Sequence, residues 1–341
     1  MSQHDTDIER MEQAIEAAAG ARRVVSPRPW VGCVVVPAGG QPLSVGATDG
    51  RRGAHAEVVA LARAGATARG ATLYSTLEPC SHQGQTGPCT DAVIAAGVAR
   101  VVVGLVDPDP RVAGEGIERM RAAGIDVEVG VAADRVAEQL APYLAHRRTG
   151  RPYVVLKLAA TLDGRTAAPD GTSQWITGAE ARLDAHRLRA DSDAVLVGSG
   201  TVAADDPALT ARLPDDELPP GFEQPRRIVL GSAAADRKVH PATEMRGPLP
   251  DVLDELGRQG VLQVLVEGGA GVAHAVHAAG LVDRYVLYLA PALFGGDDAR
   301  GLFAGTGAAT LADAWRGRVA ACRAVGADLR VDLVPTPESG A

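Results

Sequence analysis

The first third of the chain contains one histidine, two cysteines and a carboxylate at positions that could do chemistry together. His55 and Glu57 are separated by one residue, and Cys80 and Cys89 follow along the chain. Three protein ligands hold a catalytic zinc and leave a fourth position for water, and the metal makes that water a nucleophile near neutral pH. A carboxylate that is not a ligand can carry the proton to a leaving group. We therefore interpret His55, Cys80 and Cys89 as zinc ligands and Glu57 as the proton carrier.

The spacing of these residues is typical of zinc-dependent nucleobase deaminases, whose signature is H-x-E followed by P-C-x-x-C. His55-Ala56-Glu57 fits the first half, whereas Pro79-Cys80 is followed by a wider gap to Cys89. A buried thiol, a chance histidine and a solvated acid would explain any one of these residues alone. All four at these positions favour the metal site.

Predicted secondary structure places these residues at the ends of elements. The apolar run after Glu57 predicts a helix whose first turn holds His55 and Glu57, and residues 71–77 predict a strand that leads to Cys80. Cys89 begins a second helix that ends at Gly97. A thiolate there is stabilised by the positive end of the helix dipole.

Strands and helices alternate along the whole chain, which indicates an α/β protein with mainly parallel sheets covered on both faces. The first half adds helices at 5–19, 112–123 and 134–146, and strands at 31–36, 43–46, 100–105 and 126–129. The second half predicts strands at 153–158, 193–197, 226–230, 263–266 and 285–289, helices at 179–190, 251–258 and 271–279, and a last antiparallel pair within 319–334. The polar segment 147–151 contains Gly and Pro, so we predict domains at 1–146 and 152–341 joined by that linker.

Bulk composition narrows the function. The chain has 341 residues, a length that predicts two domains. The net charge of −8 argues against a nucleic-acid binder, which would carry a basic face. Four cysteines are too few for a disulfide framework, so Cys33 is assigned to the core and Cys322 is left unassigned. The polar N-terminus and the absence of a long apolar run predict a cytoplasmic protein without a membrane span.

A second group of polar residues lies in the second half. Glu267-Gly268-Gly269-Ala270-Gly271 connects a predicted strand to a helix, where backbone amides can approach a phosphate. Taken alone, a tight turn explains this stretch equally well. The stretches 157–165, 173–177 and 200–212 also put polar residues at or after predicted strand ends, where α/β sheets bind ligands.

Together these motifs resemble the bifunctional riboflavin-biosynthesis deaminase/reductase family, the RibD family, over nearly the whole chain. H-A-E, T-L-E-P-C-S-H and the Cys80–Cys89 spacing resemble its deaminase domain. L-K-x-A-x-x-L-D-G-R, S-Q-W-I-T, G-T-V-x-A-D-D-P-x-L-T-x-R and V-E-G-G resemble its reductase domain. The resemblance implies a cytidine-deaminase-like first domain and a dihydrofolate-reductase-like second domain.

The resemblance also implies two reactions. The first is zinc-dependent hydrolytic deamination of 2,5-diamino-6-ribosylamino-4(3H)-pyrimidinone 5′-phosphate, and the second is NADPH-dependent reduction of the ribosyl side chain to give 5-amino-6-ribitylaminouracil 5′-phosphate. Carried onto this sequence, it implies contact with substrate by Ser173, Arg189, Leu209, Arg212 and Glu267. It implies contact with NADPH by Ala159, Trp175, Thr201, Asp205, Ser232 and Gly269. Lys157 and Asp163 are expected to shape the reducing site, and assembly through the reductase domain into a dimer or tetramer is expected.

Three departures from the family pattern keep alternatives open. Arg28 or Trp30 stands where the family often has an asparagine, and Gln85 stands where it usually has a cation for the substrate phosphate. The segment 231–250 is short where the family usually has a further strand beside the cofactor. These departures motivate a paralogue acting on a related pyrimidine in secondary metabolism, or a deaminase with a disabled reductase domain. A zinc-stabilised binding protein without turnover is a third alternative, against which the intact Glu57 argues.

Overall fold

The computed structural model describes residues 2–83, 87–109 and 112–336. The chain divides into two compact units. The first extends to Gly150 and includes the loop Leu218–Glu223, and the second comprises Arg151–Glu217 and the chain from Gln224 onward. Among the described residues, none of the helices combines the length and the apolar composition that a membrane crossing requires.

The first unit is built on a five-stranded sheet in the order β2-β1-β3-β4-β5. β1 is antiparallel to both β2 and β3, whereas β3, β4 and β5 run parallel. The strands are β1 Gly32–Val36, β2 Ser44–Ala47, β3 Thr72–Leu77, β4 Arg100–Leu105 and β5 Asp126–Val129. The helices are α1 Gln3–Ala19, α2 Arg22–Val25, α3 Ala56–Ala64, α4 Cys89–Ala96, α5 Glu115–Ala122, α6 Ala133–Gln139 and α7 Ala141–Thr149, with a short 3₁₀ turn at Gly65–Ala68.

The predicted helix 134–146 is wrong in one respect, because the structure has two helices there, α6 and α7. The chain leaves helical geometry at Leu140, and α7 restarts with Pro142 in its first turn, where a missing backbone N–H costs nothing. α7 then continues to Thr149, so residues 147–149 of the predicted linker are helical. The helix ends at Gly150, whose φ of 73° is left-handed.

The second unit contains an eight-stranded sheet in the order β10-β9-β8-β11-β6-β12-β15-β14. Neighbours are parallel from β10 to β12, and the hairpin β14–β15 is antiparallel, as the prediction for 319–334 had it. The strands are β6 Tyr153–Thr161, β7 Arg165–Ala167, β8 Ala194–Gly198, β9 Arg226–Leu230, β10 Thr243–Met245, β11 Gln263–Val266, β12 Arg284–Ala290, β13 Arg300–Gly301, β14 Gly317–Val325 and β15 Asp328–Pro335, of which β7 and β13 form a separate pair. The helices are α8 Ala179–Ala190, α9 Ser199–Asp205, α10 Leu249–Arg258 and α11 Ala270–Ala278, with a 3₁₀ turn at Asp215–Glu217.

The segment 231–250 does contain a further strand, contrary to the expectation that it is too short for one. β10 pairs in parallel with β9, with Thr243 opposite Ile228 and Met245 opposite Leu230. Three residues are enough because the strand lies at the edge of the sheet and is hydrogen-bonded on one side only.

The central strand β6 shows how the second sheet is packed. Val154, Leu156 and Leu158 belong to one buried apolar cluster, and Val155 belongs to another. Since successive side chains of a strand point to opposite faces, both faces of the sheet are covered. The carboxyl ends of its parallel strands are therefore left as the place where polar side chains can gather.

Candidate functional site

The first unit brings His55, Cys80 and Cys89 into one cluster. His55 is the N-cap of α3, Cys80 lies in the loop after β3, and Cys89 is the first residue of α4. The Nδ1 atom of His55 lies 3.5 Å from the Cys80 sulfur and 3.1 Å from the Cys89 sulfur. The three ligand atoms all lie within 4.8 Å of one another. Strand and helix ends thus position the three side chains as the sequence predicts.

The donor set of this cluster fits a zinc ion. Two thiols and one imidazole are ligands that zinc prefers. Hydrogen bonding from the Cys89 thiol, together with the contact to His55, holds the pKa of Cys80 well below its usual range, although burial opposes this shift. The backbone N–H of Cys89 also points at the Cys80 sulfur, at 3.5 Å. Thiolate is the form that ligates a metal.

Glu57 lies beside the cluster in the first turn of α3 and is only 3% exposed. Its Oε2 atom is buried and has no hydrogen-bond partner among the described residues. Burial raises the pKa of this carboxyl, and the nearby His55 partly offsets the shift. A buried polar atom without a partner is costly, so its retention here marks a group kept free to act on a ligand.

Glu78, the other glutamate of the motif, has a structural role. Its carboxylate accepts hydrogen bonds from the backbone N–H groups of Asp107, Gly114, Gly116 and Ile117, at 2.9 to 3.3 Å. Gly116 passes so close that a Cβ there would lie 2.1 Å from the carbonyl oxygen of Pro79. Glu78 therefore fixes the loop after β4 against the cysteine loop and is not free for catalysis.

A cavity of about 380 Å³ opens onto this cluster. His55, Glu57 and Cys80 line it, together with side chains that the sequence did not single out, namely Arg51, Asp107, Asp109, Tyr143 and Arg147. Asp107 accepts hydrogen bonds from the Tyr143 hydroxyl at 3.2 and 3.1 Å. The sequence could have indicated Asp107 by its position, since it follows the carboxyl end of β4 just as Cys80 follows that of β3.

Of the two residues considered for the asparagine position, Arg28 lines the cavity and Trp30 does not. Trp30 is 3% exposed and donates its indole N–H to the carbonyl oxygen of Gln139 at 3.2 Å. It is therefore a core residue. Gln85, the other departure, lies outside the described residues.

In the second unit, Glu267 follows β11 and is enclosed by two cations. Arg189 of α8 donates to both of its carboxylate oxygens, at 2.6 and 2.9 Å, and Lys157 of β6 lies 3.4 Å away. Burial alone would raise the pKa of Glu267, but Arg189 and Lys157 outweigh it and lower the pKa to about 2. The Arg189 guanidinium, for which the resemblance implies contact with substrate, is thus already bidentate to a carboxylate.

Arg212 is an exposed cation beside this network. Its Nη1 atom donates a hydrogen bond to the Thr210 hydroxyl oxygen at 3.1 Å. His186 of α8 faces the same turn, with its Nδ1 atom 3.1 Å from the Thr210 carbonyl oxygen and 3.3 Å from the backbone nitrogen of Arg212. The sequence reasoning missed His186, for which the only signal was its place one turn before Arg189. Burial lowers the pKa of His186 to about 4, and Arg189 and Arg212 add to this effect.

Leu209 and Ser173, also predicted near substrate, are placed differently. The Leu209 side chain is 2% exposed and packs in the apolar core, so any contact with substrate must come from its backbone, whose φ of 54° is rare for a residue with a side chain. Ser173 is half-buried in the loop before α8. Asp163 accepts from the backbone N–H groups of Phe294 and Gly295, at 3.0 and 2.9 Å, and anchors that loop.

Two of the predicted cofactor residues are brought into contact. The backbone N–H of Gly269 donates to the Thr201 hydroxyl at 3.0 Å, where α9 and α11 both begin after strand ends. A Cβ on the neighbouring Gly268 would lie 2.5 Å from Val272, so this turn requires glycine. Of the other predicted cofactor residues, Ala159 lies on β6 and Asp205 ends α9, whereas Ser232 is exposed after β9.

A cavity of about 360 Å³ lies next to this turn, lined by residues at the ends of β9 and β10 and by the first turns of α11. Leu230, Gly231, Arg246 and Gly271 are among its walls. A helix N-terminus beside a glycine turn, with a cation nearby, fits the phosphates of a dinucleotide such as NADPH. Trp175 is 70% exposed and stacks with the Arg182 guanidinium at 4.6 Å.

Comparison with known proteins assigns both units. Residues 4–105 match the cytidine and deoxycytidylate deaminase zinc-binding region, and residues 152–331 match the RibD C-terminal domain. The riboflavin biosynthesis protein RibD of Escherichia coli K12 is 42% identical over 95% of this chain and 98% of its own length. The chain belongs to the RibD family. The RibD of Mycobacterium tuberculosis H37Rv is also 42% identical, over 96% of each chain.

Solved RibD structures extend this likeness to the whole chain. A structure of Acinetobacter baumannii RibD matches with a TM-score of 0.92 at 37% identity, covering 98% of this chain and all of that one. The diaminohydroxyphosphoribosylaminopyrimidine deaminase/5-amino-6-(5-phosphoribosylamino)uracil reductase of Thermotoga maritima matches with a TM-score of 0.88 at 30% identity. The first unit accordingly has the cytidine-deaminase-like fold and the second the dihydrofolate-reductase-like fold of the family, as the sequence predicted.

Proposed function

We propose that this chain catalyses two consecutive steps of riboflavin biosynthesis. The first unit deaminates 2,5-diamino-6-ribosylamino-4(3H)-pyrimidinone 5′-phosphate, and the second reduces the ribosyl group of the product to ribityl with NADPH. The observation that carries the first step is the convergence of His55, Cys80 and Cys89 next to a buried Glu57 oxygen without a partner. The names of the relatives and the two family matches support the specific pair of reactions.

In the first step, His55, Cys80 and Cys89 would hold a zinc ion, which would supply an activated water near neutral pH. Glu57 would take a proton from the water as the water oxygen bonds to the ring carbon that carries the amino group, and would pass that proton to the adjacent ring nitrogen. It would then move a second proton, from the new hydroxyl, to the departing amino group. The C–N bond breaks, and ammonia leaves. The loop fixed by Glu78 forms one wall of the cavity.

In the second step, the reductase unit would hold NADPH, which would supply the hydride that reduces the ribosyl group, and a proton from solvent would complete the reduction. We assign the cofactor side of the site to the residues that the resemblance implies for NADPH, namely Thr201, Gly269, Asp205, Ser232, Ala159 and Trp175. Glu267 holds Lys157 and Arg189 together, and this network leaves the Arg212 guanidinium free of any carboxylate among the described residues. Arg212 is therefore the residue to which we assign the substrate phosphate, with Arg189 as its support and Ser173 and the Leu209 backbone beside it.

The substrate is a small phosphorylated pyrimidine, and we propose that the enzyme works in the cytoplasm. The net charge of −8 is compatible with such a ligand because a local group of cations is sufficient to bind its phosphate. We also propose that the reductase units associate as a dimer or tetramer.

The decisive experiment supplies zinc-loaded protein with the diaminopyrimidinone ribosylamino phosphate, with and without NADPH. Ammonia release and NADPH absorbance are followed in the same sample. Release of ammonia together with loss of NADPH is expected. Ammonia alone would restrict the activity to the first unit, and neither signal in zinc-loaded protein would exclude this substrate and favour a related pyrimidine.

A further inference from the structure

Among the described residues that line the cavity of the first unit, one arginine forms no ion pair with a carboxylate. Three of the described arginines line it, Arg28, Arg51 and Arg147. Arg51 pairs with Glu223 at 2.7 Å. Arg147 lies 3.9 Å from Asp109 and stacks over the Tyr143 ring at 4.9 Å. Arg28 has no ion-pair partner within the part of the chain that the structure describes.

The Arg28 guanidinium is held in place at one corner only. Its Nη1 atom donates to the carbonyl oxygens of Gly50 and Gly53, both at 3.1 Å. In the described residues these are its only side-chain hydrogen bonds, so the Nη2 and Nε groups are available to a ligand in the cavity. Two fixed carbonyls thus orient a fork of donors that suits the paired oxygens of a phosphate.

The cavity has room for a ligand between Arg28 and the group of Glu57, His55 and Cys80. Arg28, Glu57, His55 and Cys80 line the same cavity, yet the guanidinium forms no ion pair with Glu57. The volume of about 380 Å³ is in the range of small-molecule sites. A half-buried charge without an ion pair is costly, and a dianionic ligand in the cavity would reduce that cost.

We propose that Arg28 binds the phosphate of the phosphorylated pyrimidine in the deaminase cavity and thereby selects the phosphorylated substrate over its nucleoside. This inference rests on the proposed deaminase function. It assigns the phosphate to Arg28 because Arg51 and Arg147 each lie within 4 Å of a carboxylate, those of Glu223 and Asp109, whereas Arg28 forms no ion pair among the described residues. The competing explanation is that the charge of Arg28 only offsets Glu57 and the two thiolates.

The test compares ammonia release from the phosphorylated substrate and from its dephosphorylated form. For Arg28→Ala, the expected result is a rise in KM of about 10- to 100-fold with the phosphorylated substrate, because a charge-assisted pair is lost. With the dephosphorylated substrate, the variant and the wild type should differ by less than about threefold. Arg28→Lys keeps the charge and should recover part of the loss.

Two further variants keep the comparison interpretable. Arg28→Gln retains a donor for the carbonyls of Gly50 and Gly53 but removes the charge, so it should lose the preference for phosphate while keeping its zinc content and melting temperature. Arg51→Ala is the matched control, an exposed cation of the same cavity, and should change the preference by less than about threefold.

Equal losses on both substrates in Arg28→Ala would overturn the proposal and assign Arg28 to charge balance at the metal cluster. An unchanged KM for the phosphorylated substrate would overturn it as well. If the wild type releases no ammonia from the phosphorylated substrate, the proposed function itself fails and the inference with it. The first two outcomes leave the deaminase function intact.

Discussion

The two units each place a buried glutamate at the centre of a site, and the two glutamates have opposite environments. Glu57 has an oxygen without a partner, and burial raises its pKa. Glu267 is enclosed by Arg189 and Lys157, which lower its pKa to about 2 although burial opposes them. One carboxylate thus keeps an oxygen without a partner, which suits proton exchange, whereas the other is surrounded by cations that keep it charged.

The two environments suit different roles, proton transfer for Glu57 and the positioning of neighbouring cations for Glu267. An unpaired buried carboxyl has protonated and ionised forms closer in free energy, so it can serve in both directions of a proton relay. A fully paired carboxylate cannot release its cations without leaving buried charges. Glu57 is therefore expected to act on the reaction itself, and Glu267 to hold the residues that bind the substrate.

The largest effect is expected from Glu57→Gln. The amide cannot exchange a proton, so the kcat of ammonia release should fall by about 10²- to 10⁴-fold, while the bound zinc remains. Zinc content by atomic absorption and ammonia release together measure this. The matched control is reduction of the deaminated intermediate by the same variant, which should proceed as in the wild type. Near-normal ammonia release would remove Glu57 from the mechanism.

Glu267→Ala should weaken the second unit and its reaction. Removing the acid leaves Arg189 buried without a counter-charge, which is expected to cost about 3–5 kcal/mol of unfolding free energy. NADPH oxidation should fall and ammonia release should be unchanged. Denaturant unfolding and the two activity assays check this result.

Glu217→Ala provides the comparison for that stability loss, because it removes a more exposed pair in the same unit. Glu217 accepts from Arg187 at 2.7 Å, and the two side chains are 27% and 39% exposed. The expected loss is less than about 1 kcal/mol. Similar losses in the two variants, or equal loss of both activities in Glu267→Ala, would contradict the contrast between the two sites.

The smallest effect concerns the pH dependence of stability. The pKa of His186 is lowered from its ordinary 6.5 to about 4 by burial and by the nearby Arg189 and Arg212, with Glu267 acting in the opposite direction. A depressed histidine pKa means that the unfolded chain binds more protons between these values, so the second unit should lose stability as pH falls from 6.5 towards 4.

His186→Asn keeps a polar atom near the position of Nδ1 but does not titrate. Its unfolding free energy should therefore fall less steeply than that of the wild type over this pH interval, with a constant difference above pH 6.5. Thermal unfolding at a series of pH values measures the slope. Parallel slopes below pH 6.5 would remove His186 from the acid sensitivity of the unit.

Local sequence predicted that His55, Cys80 and Cys89 come together, because these residues lie at the ends of elements whose own patterns are clear. His55 caps a helix with an apolar face, Cys89 begins another, and Gly97 ends it in the left-handed conformation. The alternation of strands and helices likewise predicted both sheets. Helix breaks were less predictable, as at Leu140, because apolar periodicity continues across a proline that is tolerated in a first turn.

Tertiary structure alone decided which charged residues are free. The sequence does not show that Arg51, Arg147 and Arg189 form ion pairs whereas Arg28 and Arg212 form none among the described residues. Ion pairing depends on carboxylates far along the chain, such as Glu267 for Arg189 across 78 positions. Chemical type and local spacing are properties of the sequence, whereas the state of a charge is set by the neighbours that folding brings to it.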